Sequence, residues 1–332
     1  PRGPGVILLC GIPSEPPVAL AAQAAAAAGV DFQVVNQREI EAWAVELEFD
    51  GSRLTGLLRG PAGELDLDEI DGIYARLVEP HTLPEVGRPP DPDKLATADA
   101  FYQPFCDWLE VAPCRVANRF SAGTSNVSKP YQAQIIRSVG FEVPLTIVSN
   151  DPDSIRRFAA DHRELIYKST SSARSIVRRL VPSRLADLAL VRHLPTQFQA
   201  LVPGVDVRVH VVGEAVFATE VRSPGTDYRY AARDRQEVRM SARELPPEVE
   251  RRCLALSQAL ELPFSGIDLR HTPDGEWYCF EVNPSPAYSY FEQLTGQPIG
   301  AALVAYLAGD DRRRSEHGGG DRELGGALGH AS

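Results

Sequence analysis

The amino-acid sequence predicts a mixed α/β and α+β protein made of several domains. Apolar runs of strand length alternate with helical stretches along most of the chain, and some of the runs form hairpin-like pairs. A chain of 332 residues is also longer than a single hydrophobic core usually organises. We expect an N-terminal α/β domain at 1–105, a small central domain at 106–195, a C-terminal antiparallel-sheet domain at 196–309 and a disordered tail at 310–332.

The first domain is predicted from two strand signals around a helix. The run GVILLC is followed by an alanine-rich helical stretch and then by the strand FQVVN. Asp50-Gly51-Ser52 joins AVELEFD to RLTGLLRG as a hairpin loop would, and the strand GIYARLV comes next. A proline-rich stretch from Glu79 to Pro92 marks the boundary that follows.

The central and C-terminal domains are predicted from the same two periodicities. A helix, the strand RVAN, a helix over 127–139, the strand EVPLTIV, a helix opened by Asn150-Asp151-Pro152 and the strand ELIYKS come first. The strands QFQALV, DVRVHVV and AVFATEV, a helix over 246–260, the strands SGIDLRH and EWYCFEVN, and a helix over 299–307 follow. The tail is charged and glycine-rich, so it has little apolar surface to bury.

Composition argues against several classes of protein. The net charge of −11 and the pI near 5.2 disfavour nonspecific binding to nucleic acid, which needs a basic surface. Five scattered cysteines without metal-type spacing favour a cytoplasmic protein over an oxidised secreted one. No apolar run approaches the roughly 20 residues that span a bilayer, so we expect no membrane partner. A homo-oligomer is left open.

Two strands near the C-terminal end predict a metal site. In GIDLRHTPDGEWYCFEVNPSP the four-residue turn 272–275 joins two apolar strands and places Asp268 opposite Cys279. Asp268, Glu281 and Asn283 then point to one face of the hairpin, because side chains alternate along a strand. Two carboxylates and an amide oxygen suit Mg2+ held together with substrate phosphates. A pairing shift of one residue would turn Asp268 to the other face. The alternative is a solvated hairpin with ordinary surface acids.

Lysines are rare in this chain, since 31 of its 34 basic residues are arginines. A compact ammonium binds phosphate as a point charge in a way that the planar guanidinium does not reproduce. Lys129 begins a predicted helix. Lys168 ends the strand ELIYKS just before a loop of small hydroxylated residues at 169–172, whose amides can lie against phosphate oxygens. Lys94 has no such context and is interpreted as a surface residue.

Together these motifs resemble the ATP-grasp superfamily. Its members combine a lysine at a helix start, a lysine at a strand end, a hinge strand and a paired-strand Asp…Glu-x-Asn metal site. The resemblance covers roughly residues 116–307, and its most specific parts are SKPYQAQIIRSVGFEVPLT, IYKS, FQALVPGVDVRVHVVG, GIDLR and FEVNPSP. Within the superfamily the chain looks most similar to glutamate-adding ligases and to maturases of ribosomal peptides of the graspetide and microviridin type. This implies an ATP-grasp fold in which residues 1–105 form the pre-ATP-grasp domain.

The resemblance also implies where the nucleotide binds. Lys129 and Lys168 would hold the phosphates of ATP, with Ser169 opening the adjacent loop. In that loop the sequence STSSARS replaces the glycines of many family members, so we expect hydroxyl groups and Arg174 to take over some of the phosphate contacts. Adenine would lie against the hinge formed by Gln199 and the backbone of Ala200 and Leu201. Asp206 stands where the ribose-facing acid is expected.

The reacting groups follow from the same resemblance. Arg208 of the DVR motif would face the phosphate or acyl-phosphate region, and with Lys168 it would be catalytic. The hairpin ligands Asp268, Glu281 and Asn283 would bind Mg2+, for which Mn2+ can substitute.

Substrate contacts are less specific. Ser285 and the turn after it would line the substrate pocket by resemblance. Arg222 and Arg229 in EVRSPGTDYRY are positioned to grip a substrate, although a solvated charged loop is the alternative.

The activity implied is ADP-forming ligation of a carboxylate to an amine through an acyl phosphate. The substrate would be a peptide or an amino acid, with ribosomal peptide maturation as one form of it. Such a reaction needs positioning and charge neutralisation and no side-chain nucleophile. An ATP-grasp phosphotransferase of kinase type and a non-catalytic ATP-binding regulatory module remain as alternatives. The sequence does not distinguish an ester product from an amide product.

Overall fold

The computed structural model describes residues 5–309 except 127, 163, 170–176, 195 and 224–237, and the side chains of 169 and 182–187 also lie outside the described part. The described residues form two compact units. Within the described part of the chain, the first draws on 5–13, 21–116 and 301–309, and the second on 14–20 and 117–300. The predicted division at 105, 195 and 309 stays a prediction, and the predicted disordered tail lies outside the described residues.

A parallel sheet and a separate antiparallel sheet make up most of the first unit. The parallel sheet has the strand order β2–β1–β6–β7, where the strands are β1 (Val6–Gly11), β2 (Phe32–Asn36), β6 (Ile70–Ala75) and β7 (Arg115–Ala117). The antiparallel sheet has the order β3–β4–β5, with β3 (Ala44–Phe49), β4 (Leu54–Gly60) and β5 (Gly63–Asp66). This unit also contains α2 (Pro92–Val111) and most of α1 (Pro16–Ala28) and α8 (Ile299–Ala308), whose first residues belong to the second unit.

These elements confirm the strands and the hairpin predicted for the N-terminal region, while β5 is an addition. The apolar run of β1 is explained by its central position, since it pairs in parallel with both β2 and β6 and its residues 7–11 are buried. Short 3-10 helices at Leu67–Glu69, Pro80–Thr82 and Pro84–Val86 complete the region, the last two within the proline-rich stretch.

Two antiparallel sheets make up the second unit. The smaller has the order β10–β9–β11–β8, with β8 (Thr146–Ser149), β9 (Leu165–Ser169), β10 (Arg178–Arg179) and β11 (Thr196–Ala200). The larger has the order β14–β13–β12–β15–β16, with β12 (Val205–Val212), β13 (Ala215–Arg222), β14 (Arg239–Arg243), β15 (Phe264–His271) and β16 (Trp277–Asn283). The helices are α3 (Phe120–Gly123), α4 (Lys129–Ser138), α5 (Pro152–Asp161), α6 (Pro247–Ala259) and α7 (Ser289–Thr295), with 3-10 helices at Thr124–Asn126 and Pro182–His193.

Local sequence accounts for most of these boundaries. Asp151 caps α5, because its carboxylate accepts the backbone N–H groups of residues 153 and 154. The helix predicted over 127–139 begins at Lys129, since Ser128 is extended with φ −107° and ψ 90°. The strand predicted from EVPLTIV is shorter and begins at Thr146, after Pro144, which cannot donate to a ladder. Among the elements of the second unit, α3, β10, β14, α7 and the two 3-10 helices were not predicted.

The larger sheet has one apolar face and one polar face. Val207 and Val209 of β12 and Ile267 of β15 belong to a buried cluster that includes Cys253 and Leu256 of α6. Because side chains alternate along a strand, the residues between them turn to the opposite face. That face carries the polar side chains of the DVR and DLR motifs.

Candidate active site

The hairpin β15–β16 brings the predicted metal ligands together in a register that differs from the expected one. Leu269, not Asp268, lies opposite Cys279, so the predicted pairing was wrong by one residue. The loop is shorter than expected: Thr272 and Glu276 pair through backbone and side chain across only three residues. The last of the three, Gly275, has φ 91°, a left-handed conformation that such a loop needs there.

A β-bulge then restores the predicted face. The register shifts between Asp268 and Leu269, so that Asp268 lies opposite Glu281 and Gly266 lies opposite Asn283. The bulge inserts Phe280 as an extra residue on β16, and both it and Glu281 border the same cavity. Without the bulge, the shifted pairing would have turned Glu281 away from Asp268.

Two cross-strand ion pairs link β12 to β15 on this face. Arg208 lies opposite Asp268 and donates to its Oδ1 at 2.6 Å, and the Arg208 side chain is only 7% exposed. Asp206 lies opposite Arg270 and accepts from its Nε at 2.9 Å. Because the strands are antiparallel, the Asp of each motif, DVR and DLR, lies opposite the Arg of the other. Arg270 also lies 5.2 Å from the centre of the Phe280 ring.

Sequence reasoning missed Arg270. The repeat of an Asp-x-Arg pattern on two predicted strands was the available signal, and recognising it required the pairing of β12 with β15.

The two lysines that are predicted to bind phosphate both lie close to Glu281. The Nζ atoms of Lys129 and Lys168 lie 3.1 and 3.9 Å from its Oε2. Lys129 also donates to Oδ1 of Asn126 at 2.6 Å. Lys129 comes from the start of α4 and Lys168 from the end of β9, so the site joins a helix terminus to strands of both sheets. It is the local basic cluster that an acidic protein needs for an anionic ligand.

The predicted metal ligands fit Mg2+ by the chemistry of their donor atoms. Asp268 and Glu281 offer carboxylates whose side chains are 23% and 21% exposed. Asn283 lies on the same face, and its Oδ1 accepts the N–H of Ser285 at 2.9 Å. Within the described residues, no group of three or more His, Cys, Asp and Glu side chains is arranged to hold a metal. An all-carboxylate site is therefore absent there, and the amide oxygen and phosphates would complete the shell.

A cavity of about 90 Å³ connects these groups to the hinge and opens to solvent. The predicted residues that line it are Lys168, Gln199, Leu201, Asp206, Arg208, Asp268 and Glu281.

The hinge is held by hydrogen bonds within the protein. Gln199 is buried and its Nε2 donates to Oγ1 of Thr146 at 3.0 Å. The N–H groups of Ala200 and Leu201 donate to the carbonyl oxygens of residues 145 and 164 at 2.9 and 3.0 Å. Adenine at the predicted hinge position would therefore contact Ala200 and Leu201 through groups other than their backbone N–H.

The remaining predicted residues lie apart from this cavity. Arg222 ends β13, has a side chain that is 68% exposed and pairs with Glu220 at 2.6 Å. It borders a second cavity, which shares Asp206 and Arg270 with the first. Ser285 is exposed at the turn after β16. Arg174, Arg229 and the side chain of Ser169 lie outside the described residues.

Two buried groups near the site are not suited to proton transfer or nucleophilic attack. Burial, reinforced by the charge of Arg208, lowers the pKa of His210 well below 6.5. Its ring packs edge-on against Phe291, with 5.0 Å between the ring centres. Burial also raises the pKa of the Cys279 thiol well above its usual value. Both side chains belong to the packed interior, as the sequence indicated.

Comparison with known proteins identifies similar chains. A model of the RimK-like ATP-grasp domain matches residues 132–307. N-acetylaspartylglutamate synthase A of Mus musculus is 27% identical over 209 residues, which cover 60% of this chain and 55% of the relative. A probable alpha-L-glutamate ligase of Cellvibrio japonicus is 31% identical over 104 residues, 31% of this chain and 34% of the relative. The chain spans about half the length of the first of these and a third of the second.

Solved structures show the same fold over nearly the whole chain. A Chryseobacterium gregarium RiPP-associated ATP-grasp ligase, in complex with ADP and a leader and core peptide, has a TM-score of 0.77 and 20% identity and covers 92% of this chain and 97% of its own. The ATP-grasp ligase PsnB, complexed with minimal precursor, has a TM-score of 0.75 and 25% identity, covering 93% and 99%. The predicted ATP-grasp fold is confirmed. Within the described part of the chain, no helix has the length and apolar character needed to cross a membrane.

Proposed function

The chain belongs to the RimK-like ATP-grasp family, and we propose that it is an ATP-dependent, ADP-forming carboxylate–amine ligase. In the proposed reaction a carboxylate oxygen of the substrate attacks the γ-phosphorus of ATP and ADP leaves. An amine then attacks the carbonyl carbon of the acyl phosphate, and inorganic phosphate leaves. The observation that carries the proposal is the convergence of Lys129, Lys168 and Arg208 on two carboxylates at one end of a cavity that reaches the hinge.

The basic side chains have distinct proposed roles. Lys129 and Lys168 approach Glu281 from two elements, so they can hold phosphate oxygens from two sides once that carboxylate has another counter-charge. Arg208 is held on Asp268 and buried, which orients its guanidinium toward the place where charge develops in both steps. No side chain needs to become covalently attached to the substrate.

The proposed metal ligands are Asp268, Glu281 and Asn283. Mg2+ bound there supplies positive charge against the phosphate oxygens. We propose Mn2+ as a substitute, because it takes the same oxygen donors. Asp206, held by Arg270, is proposed to face the ribose, and the hinge around Gln199 to face adenine.

A peptide is the proposed substrate. Support comes from the solved neighbours, of which one holds a leader and core peptide and another a minimal precursor. Arg222, Arg229 and Ser285 are proposed to contact it, and the finer proposal is maturation of a ribosomal peptide. We also propose a cytoplasmic location, because the five cysteines are scattered along the sequence without the spacing of a disulfide framework.

The test uses ATP, Mg2+ and a synthetic peptide that contains Glu, Asp, Ser, Thr and Lys. A ligase releases ADP and phosphate together when the peptide is present, and the peptide loses one water per link by mass spectrometry. Hydroxylamine added in place of the internal acceptor should trap the acyl phosphate as a hydroxamate. A kinase would instead leave a stable phosphoester on the peptide. A regulatory module would bind ATP and release nothing, which would rule out the proposal.

A further inference from the structure

A buried glutamine side chain joins the helix of Lys129 to the strand of the metal ligands. Gln132 lies on α4 and is 1% exposed. Its Oε1 accepts the N–H of Val282 at 2.9 Å, and its Nε2 donates to the carbonyl oxygen of Val282 at 3.0 Å. Both polar atoms of the side chain are therefore used on a single residue of β16.

The position of Val282 makes this contact specific. Val282 stands between Glu281 and Asn283, two of the three proposed metal ligands. β16 is an edge strand of the larger sheet, so alternate backbone groups on its outer side have no neighbouring strand. Val282 has Ile267 opposite it, yet its N–H and C=O point outward to Gln132. Such buried backbone groups need partners, and here one side chain supplies both.

The same glutamine lies one helical turn after Lys129. Residues three apart lie on the same side of a helix, so Gln132 and Lys129 both face β16. α4 consequently contacts adjacent residues of that strand in two ways. The Gln132 side chain forms two hydrogen bonds with the backbone of Val282, and the Lys129 ammonium lies 3.1 Å from the Glu281 carboxylate. The first contact limits how far the second can vary.

We propose that Gln132 is a positioning residue of the active site. It sets the separation between the Lys129 ammonium and the Glu281 carboxylate, and it holds the peptide unit between Glu281 and Asn283. The phosphate-binding lysine and the metal ligands thereby keep one mutual geometry. This inference rests on the proposed function, since it assumes that nucleotide phosphates and Mg2+ bind at these groups. A purely structural role, in which Gln132 only satisfies the sheet edge, is the competing explanation.

The test compares two variants that remove the paired hydrogen bonds in different ways. Gln132→Met keeps the length of the side chain without its polar atoms, and Gln132→Asn keeps the amide but is too short to reach both groups. Gln134→Met is the matched control, because Gln134 is exposed on the same helix. Calorimetry measures the Kd of ADP with saturating Mg2+ and with EDTA. The ratio of the two Kd values reports how strongly metal and phosphate binding are coupled, and it needs no turnover.

We expect both Gln132 variants to unfold at a temperature several degrees lower. We also expect them to lose about tenfold or more of the Mg2+ coupling, the effect that partners of metal ligands commonly have. The control should match the wild type in both measurements. Lower stability with unchanged coupling would overturn the proposal, as would a wild type without coupling or the failure of both variants to fold. If Mg2+ changed the Kd of ADP for the wild type but no ADP were released with peptide, the ligase proposal would be rejected. The positioning role of Gln132 would still stand.

Discussion

Replacing Glu281 by glutamine removes one negative charge and keeps the shape of the side chain. The charge lies 3.1 Å from the ammonium of Lys129 and 3.9 Å from that of Lys168, and all three side chains are less than a third exposed. At an effective dielectric constant of about 20, Coulomb's law gives roughly 5 and 4 kcal/mol for the two contacts. Desolvation of the three charges offsets most of this. We therefore expect the free energy of unfolding to fall by only about 1–3 kcal/mol.

The expected loss of activity is much larger than the loss of stability. A domain stable by about 5–15 kcal/mol remains folded after a loss of 1–3 kcal/mol. Removing a ligand of the proposed metal should lower turnover by about a thousandfold, which corresponds to roughly 4 kcal/mol of transition-state stabilisation. If Mg2+ only neutralised ATP in the ground state, excess Mg2+ would restore the rate. We expect no restoration, because the lost interaction is needed while charge spreads during transfer.

The measurement is a Mg2+ titration of ADP release, with circular dichroism to establish that the variant is folded. Glu276→Gln is the control, since Glu276 is exposed next to the loop of the same hairpin and its substitution removes the same charge. It should retain wild-type turnover. If folded Glu281→Gln turned over like the wild type, the hairpin would be structural and the ligase proposal would lose its main support.

Three further predictions concern other parts of the site. Lys168→Ala should raise the Kd of ATP by about 10- to 150-fold, because a charge-assisted phosphate contact contributes about 1.5–3 kcal/mol. Lys94 is exposed, so Lys94→Ala should leave this Kd unchanged. Calorimetry measures both values. Gly266→Ala should displace Arg208, because the new Cβ would lie 2.0 Å from a guanidinium nitrogen of that side chain. The free energy of unfolding should fall by about 1–3 kcal/mol. A variant with the turnover and the unfolding curve of the wild type would contradict this prediction. Because the pKa of His210 is lowered well below 6.5 in the folded protein, its neutral ring contributes fully to the free energy of unfolding above about pH 6.5. Below that pH only the unfolded state takes up the proton, so the free energy of unfolding should fall by up to about 1.4 kcal/mol per pH unit. His210→Phe should flatten this acid dependence in urea unfolding curves, and an unchanged slope would assign it to other groups.

The sequence alone predicted the elements that depend on local chemistry. Asp151 before Pro152 marks a helix start wherever it occurs, and alternation along DVRVHVV sends Asp206 and Arg208 to the face opposite Val207 and Val209. The motifs around Lys129 and Lys168 predicted a phosphate site, which stays a prediction. Each of these conclusions needs only a few neighbouring residues.

Pairing between distant segments was decided by the tertiary structure. Arg208 meets Asp268 across 60 residues of chain, and Arg270 meets Asp206 across 64, so no local pattern contains either contact. The hairpin register depended on a three-residue loop and a bulge whose effects cancel, and only the paired strands reveal both. In the sequence Gln132 is a polar helix residue without a special context. Only the packing of α4 against β16 brings its side chain to the N–H and C=O groups of Val282. A sequence specifies which groups can bond, and the packing of distant elements determines which of them do.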